Sequence, residues 1–120
     1  MVLVQQVSKS LMKFSKSQIN RYSRQIILKK IGAAGQKKIL NSKVLIIGAG
    51  GLGAPAAMYL TASGIGKIGI VDKDNIELSN LTRQIIFDTK DIAKSKSITA
   101  VNKLKKINPD VSLESFNVKI

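Results

Sequence analysis

Residues near the middle of the chain, Gly48-Ala49-Gly50-Gly51-Leu52-Gly53, form the pattern G-x-G-x-x-G. In such a loop the first glycine, Gly48, permits a tight turn, Gly50 lets the backbone approach a phosphate, and Gly53 lets the following helix pack close to the strand. A helix that begins here offers free N–H groups and a partial positive charge to an anion. The predicted chemistry is therefore the binding of a nucleotide phosphate.

Asp72 is a second candidate for chemistry, because it ends an apolar run nineteen positions after Gly53. An acid about 20 residues beyond such a loop accepts hydrogen bonds from the ribose hydroxyls of a nucleotide. A loop acid or a helix cap looks the same in isolation, but the preceding glycine loop favours the ribose contact. On these two features alone, ATP and NAD fit the sequence equally well.

The elements that must position these residues follow from apolar periodicity. The predicted elements are, in chain order, helices at 17–31 and 36–40, a strand at 43–47, a helix at 52–63, a strand at 67–71, a helix at 95–107 and a strand at 111–118. Residues 72–84 predict a polar loop with a short helical turn near its end. We expect Ser17 to cap the first helix and Gly32 and Gly35 to mark a break after it.

The strand–helix–strand unit around the glycine loop predicts parallel strands joined by a right-handed crossover. Its first strand is predicted to be buried, and its helix is predicted to carry Leu52, Ala56 and Leu60 on one face, with alanines that allow close packing. The fold class is α/β: the first half of a Rossmann-like, doubly wound, mainly parallel sheet, preceded by an N-terminal helical segment. Three parallel strands leave faces and an edge uncovered. We therefore expect residues 18–120 to be the truncated N-terminal part of a nucleotide-binding domain, after a flexible extension at residues 1–17.

The composition excludes several classes of function. The 120 residues contain no cysteine, so the chain has no disulfide, no thiolate zinc site and no cysteine nucleophile. A net charge of +13 is typical of nucleic-acid binders, but only 4% of the residues are aromatic, and 17 scattered lysines stand against three arginines. This lysine bias is typical of an AT-rich genome, so nucleic acid is not the expected partner, and an acidic protein partner stays an alternative. No apolar run is long enough to span a membrane.

Three further elements carry a more specific resemblance. Residues 72–84 read D-K-D-N-I-E-L-S-N-L-T-R-Q, residues 21–25 read R-Y-S-R-Q, and residues 107–109 read I-N-P. They resemble, respectively, the D-x-D-x-V/I-x-x-S-N-L-x-R-Q, R-Y-x-R-Q and N-P elements of the ThiF/MoeB/HesA family of ubiquitin-activating, E1-like adenylyltransferases. The three elements also follow one another along the chain in the order that the family has. The resemblance covers about residues 18–118, and general similarity favours the molybdopterin-synthase adenylyltransferases.

The resemblance implies a role for each matching residue. Gly48, Gly50, Gly51 and Gly53 are implied to shape the nucleotide loop, Asp72 to hold the ribose, Asn80 and Arg83 to contact the triphosphate, and Lys96 to bind phosphate. Arg24 is implied to reach into the active site of the other subunit of a homodimer, so the implied catalytic residues are Arg24, Arg83 and Lys96. Gln84 is expected to support the loop, Asp74 has no assigned role, and none of these residues is implied to bind a metal.

The lysine element departs from the family pattern. Residues 93–96 read A-K-S-K and lack the glycine and proline of the family's G-x-P-K-like element. A helix N-terminus near Ser95 still brings a lysine close to an anion site. Lys94 and Lys96 therefore both stay candidates for the phosphate contact, and either could instead be a solvated surface lysine.

The implied activity is ATP-dependent adenylylation of the C-terminal carboxylate of a small ubiquitin-like sulfur-carrier protein of the molybdopterin or thiamine pathway. The carboxylate attacks the α-phosphate of ATP and gives an acyl-adenylate and pyrophosphate, a step that needs positioning and positive charge rather than a protein nucleophile. ATP and Mg²⁺ are the implied cofactors. The carrier and a second copy of the chain are the implied partners, and the expected compartment is the cytoplasm, or the plastid stroma for an organelle-encoded chain.

Two alternatives stay open. One is a non-catalytic remnant that binds nucleotide or a partner, or one half of a two-chain enzyme, because the family's magnesium-binding aspartate and carrier-binding surface are expected beyond residue 120. For the same reason, residues 1–120 alone are expected to adenylate poorly. The other is an NAD-dependent oxidoreductase, which shares the glycine loop and Asp72 but does not explain the S-N-L-T-R-Q run.

Overall fold

The computed structural model of the chain describes residues 14–120. The elements are α1 (Lys16–Ile26), α2 (Gly32–Leu40), β1 (Lys43–Ile47), α3 (Gly53–Ser63), β2 (Lys67–Val71), two 3₁₀ turns (Leu78–Thr82 and Thr89–Asp91), α4 (Lys96–Ile107) and β3 (Ser112–Phe116). Most of the predicted extension at residues 1–17 lies outside the described residues. The predicted α/β fold class, with a parallel sheet and helices, is confirmed.

The strands form one parallel sheet in the order β1-β2-β3, with β2 in the middle. The carboxyl ends of all three strands therefore lie at one edge. At this edge the Gly48 N–H donates to the Val71 carbonyl at 2.7 Å, and the Asp72 N–H donates to the Phe116 carbonyl at 3.1 Å. The loops that follow β1 and β2 consequently begin side by side.

The core lies between the sheet and the two helices α3 and α4, which pack against each other. Ile68 and Ile70 of β2 and Leu104 of α4 are each 0% exposed. The residues that α3 buries are Ala54, Ala57 and Thr61. The predicted face is wrong for Leu52 and Ala56, which are exposed, whereas Leu60 packs against the core. The predicted close packing by alanines is seen at Ala54 and Ala57.

The opposite face of the sheet is uncovered within residues 14–120. Leu45 and Ile47 of β1 are 57% and 66% exposed, so the prediction that β1 is a buried strand is wrong for this face. β2 is buried except at Lys67, because it is flanked by a strand on each side. A three-stranded parallel sheet with helices on one face leaves apolar side chains exposed on the other.

The N-terminal helix begins earlier than predicted. The Ser15 hydroxyl accepts a hydrogen bond from the Gln18 N–H at 3.0 Å, and the Ser15 N–H donates to the Gln18 side chain at 2.8 Å. This reciprocal capping box makes Ser15 the N-cap, so the prediction of Ser17 is wrong. The helix also ends at Ile26, and α2 runs through the predicted break at Gly35.

α1 is held near the amino ends of the strands by buried polar contacts. The Tyr22 hydroxyl, on a side chain that is 1% exposed, accepts a hydrogen bond from Asn108 Nδ2 at 2.8 Å. Asn108 Nδ2 also donates to the Thr61 carbonyl at 3.0 Å, and Gln25 Nε2 donates to the Ser63 carbonyl at 3.1 Å. The R-Y-S-R-Q and I-N-P segments, far apart in sequence, therefore meet in the fold.

Candidate functional site

The glycine loop, residues 48–53, joins β1 to α3 at the carboxyl edge of the sheet. Gly48 has a φ of 96°, a left-handed conformation that glycine adopts without strain. A Cβ atom on Gly53 would lie 1.8 Å from the Gly48 carbonyl oxygen, so only glycine permits the helix to start this close to the turn. A Cβ atom on Gly50 would meet only Gln84 Nε2, at 3.7 Å, which leaves the backbone there accessible to a ligand.

α3 presents an open N-terminus to this loop. Leu52, at the N-cap position, supplies no side-chain hydrogen bond, and the Ala54 N–H bonds to the Gly50 carbonyl at 2.9 Å. The first N–H groups of a helix have no partner inside the helix, and they carry its partial positive charge. The loop and the helix N-terminus together have the arrangement of a phosphate-binding site.

Asp72 ties the glycine loop to the segment after β2. Its Oδ2 accepts a hydrogen bond from the Ala49 N–H at 2.8 Å, and its Oδ1 accepts one from the Asp74 N–H at 2.8 Å. A carboxylate offers about four lone-pair sites. The half-buried Asp72 can therefore hold the loop in shape and still accept hydrogen bonds from ribose hydroxyls.

The 3₁₀ turn at Leu78–Thr82 places Arg83 beside the loop. Asn80, 8% exposed, accepts the Glu77 N–H on its side-chain oxygen at 2.8 Å and the Arg83 N–H on its carbonyl at 3.3 Å. The Cδ atom of Arg83 lies 3.6 Å from the position of a Cβ on Gly51. The turn therefore brings an exposed guanidinium to the part of the loop where a phosphate would bind.

Lys96 is the first residue of α4, and its backbone is bonded to the segment that follows β2. Its N–H donates to the Asp74 carbonyl at 3.0 Å. Lys96 is 8% exposed, and its ammonium group forms no ion pair within residues 14–120. Its ammonium nitrogen is not one of the enclosed polar atoms without a partner, so it reaches the surface and is available to an anion. Lys94 is different: its side chain is 61% exposed and pairs with Asp91 at 3.8 Å, so the geometry favours Lys96.

Ala93, three residues before Lys96, stands where the lysine element departs from the family pattern by lacking a glycine. It has a φ of 73° and is the one non-glycine residue with positive φ between residues 14 and 120. Its N–H donates to the Ile76 carbonyl at 2.7 Å, and the Ile76 N–H donates to the Lys94 carbonyl at 2.8 Å. The turn therefore holds Ala93 in a conformation that glycine adopts without strain, and that conformation costs an L-residue about 1–2 kcal/mol.

A small charge network supports the turn before Lys96. Lys103 Nζ contacts the carboxylates of both Asp88 and Asp91. The hydrogen bond from Lys103 lowers the pKa of Asp88 below its ordinary value of 3.8, and the same bond raises the pKa of Lys103 above 10.5. The pairs tie the turn at Thr89–Asp91 to α4.

Arg24 lies apart from these groups. It is exposed in the last turn of α1, and it makes no hydrogen bond or ion pair within the described part of the chain. Its neighbours Tyr22 and Gln25 are anchored near the amino ends of the strands. The structure thus brings the predicted glycines, Asp72, Asn80, Arg83 and Lys96 to one edge of the sheet, but it does not bring Arg24 there.

Within residues 14–120, no three His, Cys, Asp or Glu side chains are grouped so that they could hold a metal ion. No helix there is both long and apolar enough to cross a lipid bilayer.

The chain is similar in sequence to proteins of one known family. The model of the ThiF family matches residues 22–120. A sulfur carrier protein ThiS adenylyltransferase of Escherichia coli K12 is 49% identical over 100 residues, which are 83% of this chain and 40% of that protein. A probable molybdopterin-synthase adenylyltransferase of Porphyra purpurea is 48% identical over 107 residues, which are 89% of this chain and 28% of that protein.

Solved structures have the same fold. A structure titled PaaA superimposes with a TM-score of 0.81 at 32% identity, over 89% of this chain and 35% of that one. Escherichia coli MccB in complex with AMPCPP and MccA gives a TM-score of 0.77 at 38% identity, over 83% of this chain and 31% of that one. The chain spans from 24% to 40% of the length of the curated relatives.

Proposed function

Since the chain belongs to the ThiF family, we propose that it takes part in the ATP-dependent adenylylation of the C-terminal carboxylate of a small ubiquitin-like sulfur-carrier protein. The observation that carries the proposal is the position of Arg83 beside Gly51. A guanidinium fork matches two phosphate oxygens, and a nicotinamide enzyme with the same loop does not need one. The names of the adenylyltransferase relatives support the carrier as substrate, and the structures of MccB with ATP and AMPCPP support ATP.

The proposed reaction is a displacement at the α-phosphorus of ATP. A carboxylate oxygen of the carrier forms a bond to the α-phosphorus, the bond to the β-phosphate bridge breaks, and pyrophosphate leaves with the electron pair. Both reactants are anions, so the chain's contribution is positioning and positive charge. The glycine loop and the α3 N-terminus hold phosphate, Asp72 holds the ribose, and Arg83 and Lys96 stabilise the developing charge.

Mg²⁺ is proposed as the ion that accompanies ATP. It would neutralise part of the phosphate charge, as it does in phosphoryl-transfer enzymes. Since no group of three acidic or histidine ligands occurs in residues 14–120, we assign no metal ligand and no reaction step to the ion.

A homodimer in which Arg24 acts on the neighbouring site is also proposed. Arg24 is exposed and unpaired within the described residues, while the residues around it are anchored. An equal mixture of Arg24→Ala and Arg83→Ala subunits distinguishes action of Arg24 on the partner's site from action on the site of its own subunit. If Arg24 acts in trans, about half of all dimers are mixed and each of these has one intact site, so about a quarter of the activity returns. If it acts in the same subunit, no activity returns.

The test of the function is carrier-dependent ATP–pyrophosphate exchange by the complete enzyme, because residues 1–120 alone are expected to adenylate poorly. Arg83→Ala is expected to reduce exchange at least ~100-fold, the size of the loss when one preorganised donor is removed from a transition state. Lys96→Ala is expected to behave similarly, and Lys94→Ala is the matched control, because its exposed side chain already pairs with Asp91. Exchange by the Arg83 variant at the wild-type rate, with the fold intact, would contradict the assignment.

The organisation of the chain is part of the proposal. We propose that residues 18–120 are the N-terminal part of an E1-like ATP-binding domain and that the chain before them is an extension, except that residues 15–17 already form the start of α1. The uncovered apolar face of the sheet, with Leu45 and Ile47 exposed, supports a larger domain.

A further inference from the structure

Gln84 is a buried amide whose side chain has no hydrogen-bonding partner in residues 14–120. The residue is 4% exposed, and its Oε1 is enclosed with no donor in reach. Its Nε2 lies on the loop side of the amide, 3.7 Å from the position that a Cβ on Gly50 would occupy. The enclosed Oε1 cannot bind a phosphate oxygen, because both atoms are acceptors. Nε2 is not enclosed and makes no hydrogen bond within residues 14–120, so it is the atom that is available to donate to a ligand.

The position of Gln84 is fixed by its backbone. Its N–H donates to the Asn80 carbonyl at 2.9 Å, and its carbonyl accepts from the Phe87 N–H at 3.1 Å. The side chain is therefore held against the loop by the same turn that positions Arg83. The side chain makes no hydrogen bond to the glycine loop within the described residues, and its position against Gly50 is compatible with the predicted support of the loop as well as with contact to a ligand.

Arg83 and Gln84 face consecutive glycines of the loop. Arg83 lies against Gly51, and Gln84 Nε2 lies against Gly50. A phosphate that binds to the backbone N–H groups of the loop turns its remaining oxygens toward these two side chains. An amide nitrogen donates two hydrogen bonds and carries no acceptor, so Nε2 suits a phosphate oxygen.

We propose that Gln84 Nε2 donates a hydrogen bond to a phosphate oxygen of the nucleotide on the glycine loop, next to Arg83. This inference rests on the proposed function, because it requires the loop to hold a nucleotide phosphate. It makes Gln84 a residue that distinguishes phosphorylated nucleotides from free nucleosides.

The experiment compares ATP with adenosine, which has no phosphate, on the full chain by isothermal titration. Gln84→Met keeps the length of the side chain and removes both polar atoms, whereas Gln84→Glu keeps the shape but replaces the donor by a negative acceptor. The dissociation constant for ATP should rise about tenfold for Gln84→Met, the loss expected for a hydrogen bond to a charged group. It should rise further for Gln84→Glu, and the constant for adenosine should stay within about twofold.

The melting temperature supplies the second readout. Because Gln84 makes no side-chain hydrogen bond in the described residues, Gln84→Met should not lower Tm, whereas a structural role predicts a lower Tm. ATP binding at the wild-type level by both variants overturns the inference, and so does an equal loss for ATP and adenosine. A wild-type chain that binds ATP no better than adenosine contradicts the proposed function itself.

Discussion

Replacing Gly53 by alanine should destabilise the chain severely, because the new Cβ would meet backbone and not a movable side chain. It would lie 1.8 Å from the Gly48 carbonyl oxygen and 2.9 Å from the Gly48 carbonyl carbon, and ordinary contact begins at 3.4 Å. The turn and the helix must therefore separate by about 1.6 Å at the oxygen. Gly48 has a φ of 96°. The displacement therefore disturbs a tight turn that depends on this left-handed conformation.

The size of the effect follows from overpacking. Extra carbon in a close-packed site typically costs ~1–3 kcal/mol, and a rigid backbone neighbour places Gly53→Ala at the upper end of that range. Alanine's better helix propensity returns up to about 1 kcal/mol. The expected net loss is about 2 kcal/mol in the free energy of unfolding, and Tm should fall by about 10 °C.

The assay is urea unfolding followed by circular dichroism, with Gly50→Ala as the matched control. A Cβ on Gly50 would meet only Gln84 Nε2, at 3.7 Å, and its φ is not in the left-handed region. Gly50→Ala should therefore change the unfolding free energy by no more than about 0.5 kcal/mol, while it weakens ATP binding because the backbone is no longer accessible. Equal stability of the two variants would refute the account of the loop.

Three further predictions concern other parts of the fold. Ala93→Gly should stabilise the chain by about 0.5–1 kcal/mol in urea unfolding, because relief of left-handed strain exceeds the entropy cost of glycine; Ala93→Val should destabilise it. Tyr22→Phe should lower the unfolding free energy by about 1 kcal/mol, since Asn108 Nδ2 loses one of its two acceptors. Lys103 lowers the pKa of Asp88 in the folded chain below the ordinary value of 3.8. The contribution of Asp88 to the free energy of unfolding is therefore fully present above pH 3.8. It is lost as the pH falls through the lower pKa of the folded state. The difference in urea midpoint between wild type and Asp88→Asn should therefore be larger at pH 6 than at pH 2.5, and a difference that does not change with pH would contradict this.

Local patterns in the sequence were sufficient for the strands and the glycine loop. The runs at 43–47 and 67–71 match β1 and β2 residue for residue, and α4 ends at Ile107 as predicted. These elements depend on neighbours in sequence: β-branched runs, a glycine-rich turn and an Asn-Pro stop. The motif residues Asp72 and Arg83 could be located for the same reason, because the chain itself places them one loop away from the glycines.

The predictions that were wrong concern packing between residues that are far apart in the sequence. Which face α3 buries depends on how closely the sheet approaches, and Ala54 and Ala57 pack where Leu52 was expected. The exposed face of β1 depends on what covers the sheet, which no local pattern records. The enclosed amide of Gln84 was missed because its surroundings come from residues on both sides of the loop, and the signal that could have found it is its place directly after Arg83.

The central claim is that the glycine loop binds the phosphates of ATP, and amide chemical shifts of the ¹⁵N-labelled chain test it most directly. On titration with MgATP, the account predicts the largest shifts at residues 48–53 and at Arg83, with smaller ones at Lys96. NADH at the same concentration should give weaker shifts, because it carries no triphosphate for Arg83. Shifts confined to other parts of the chain, or stronger loop shifts with NADH than with ATP, would contradict the account.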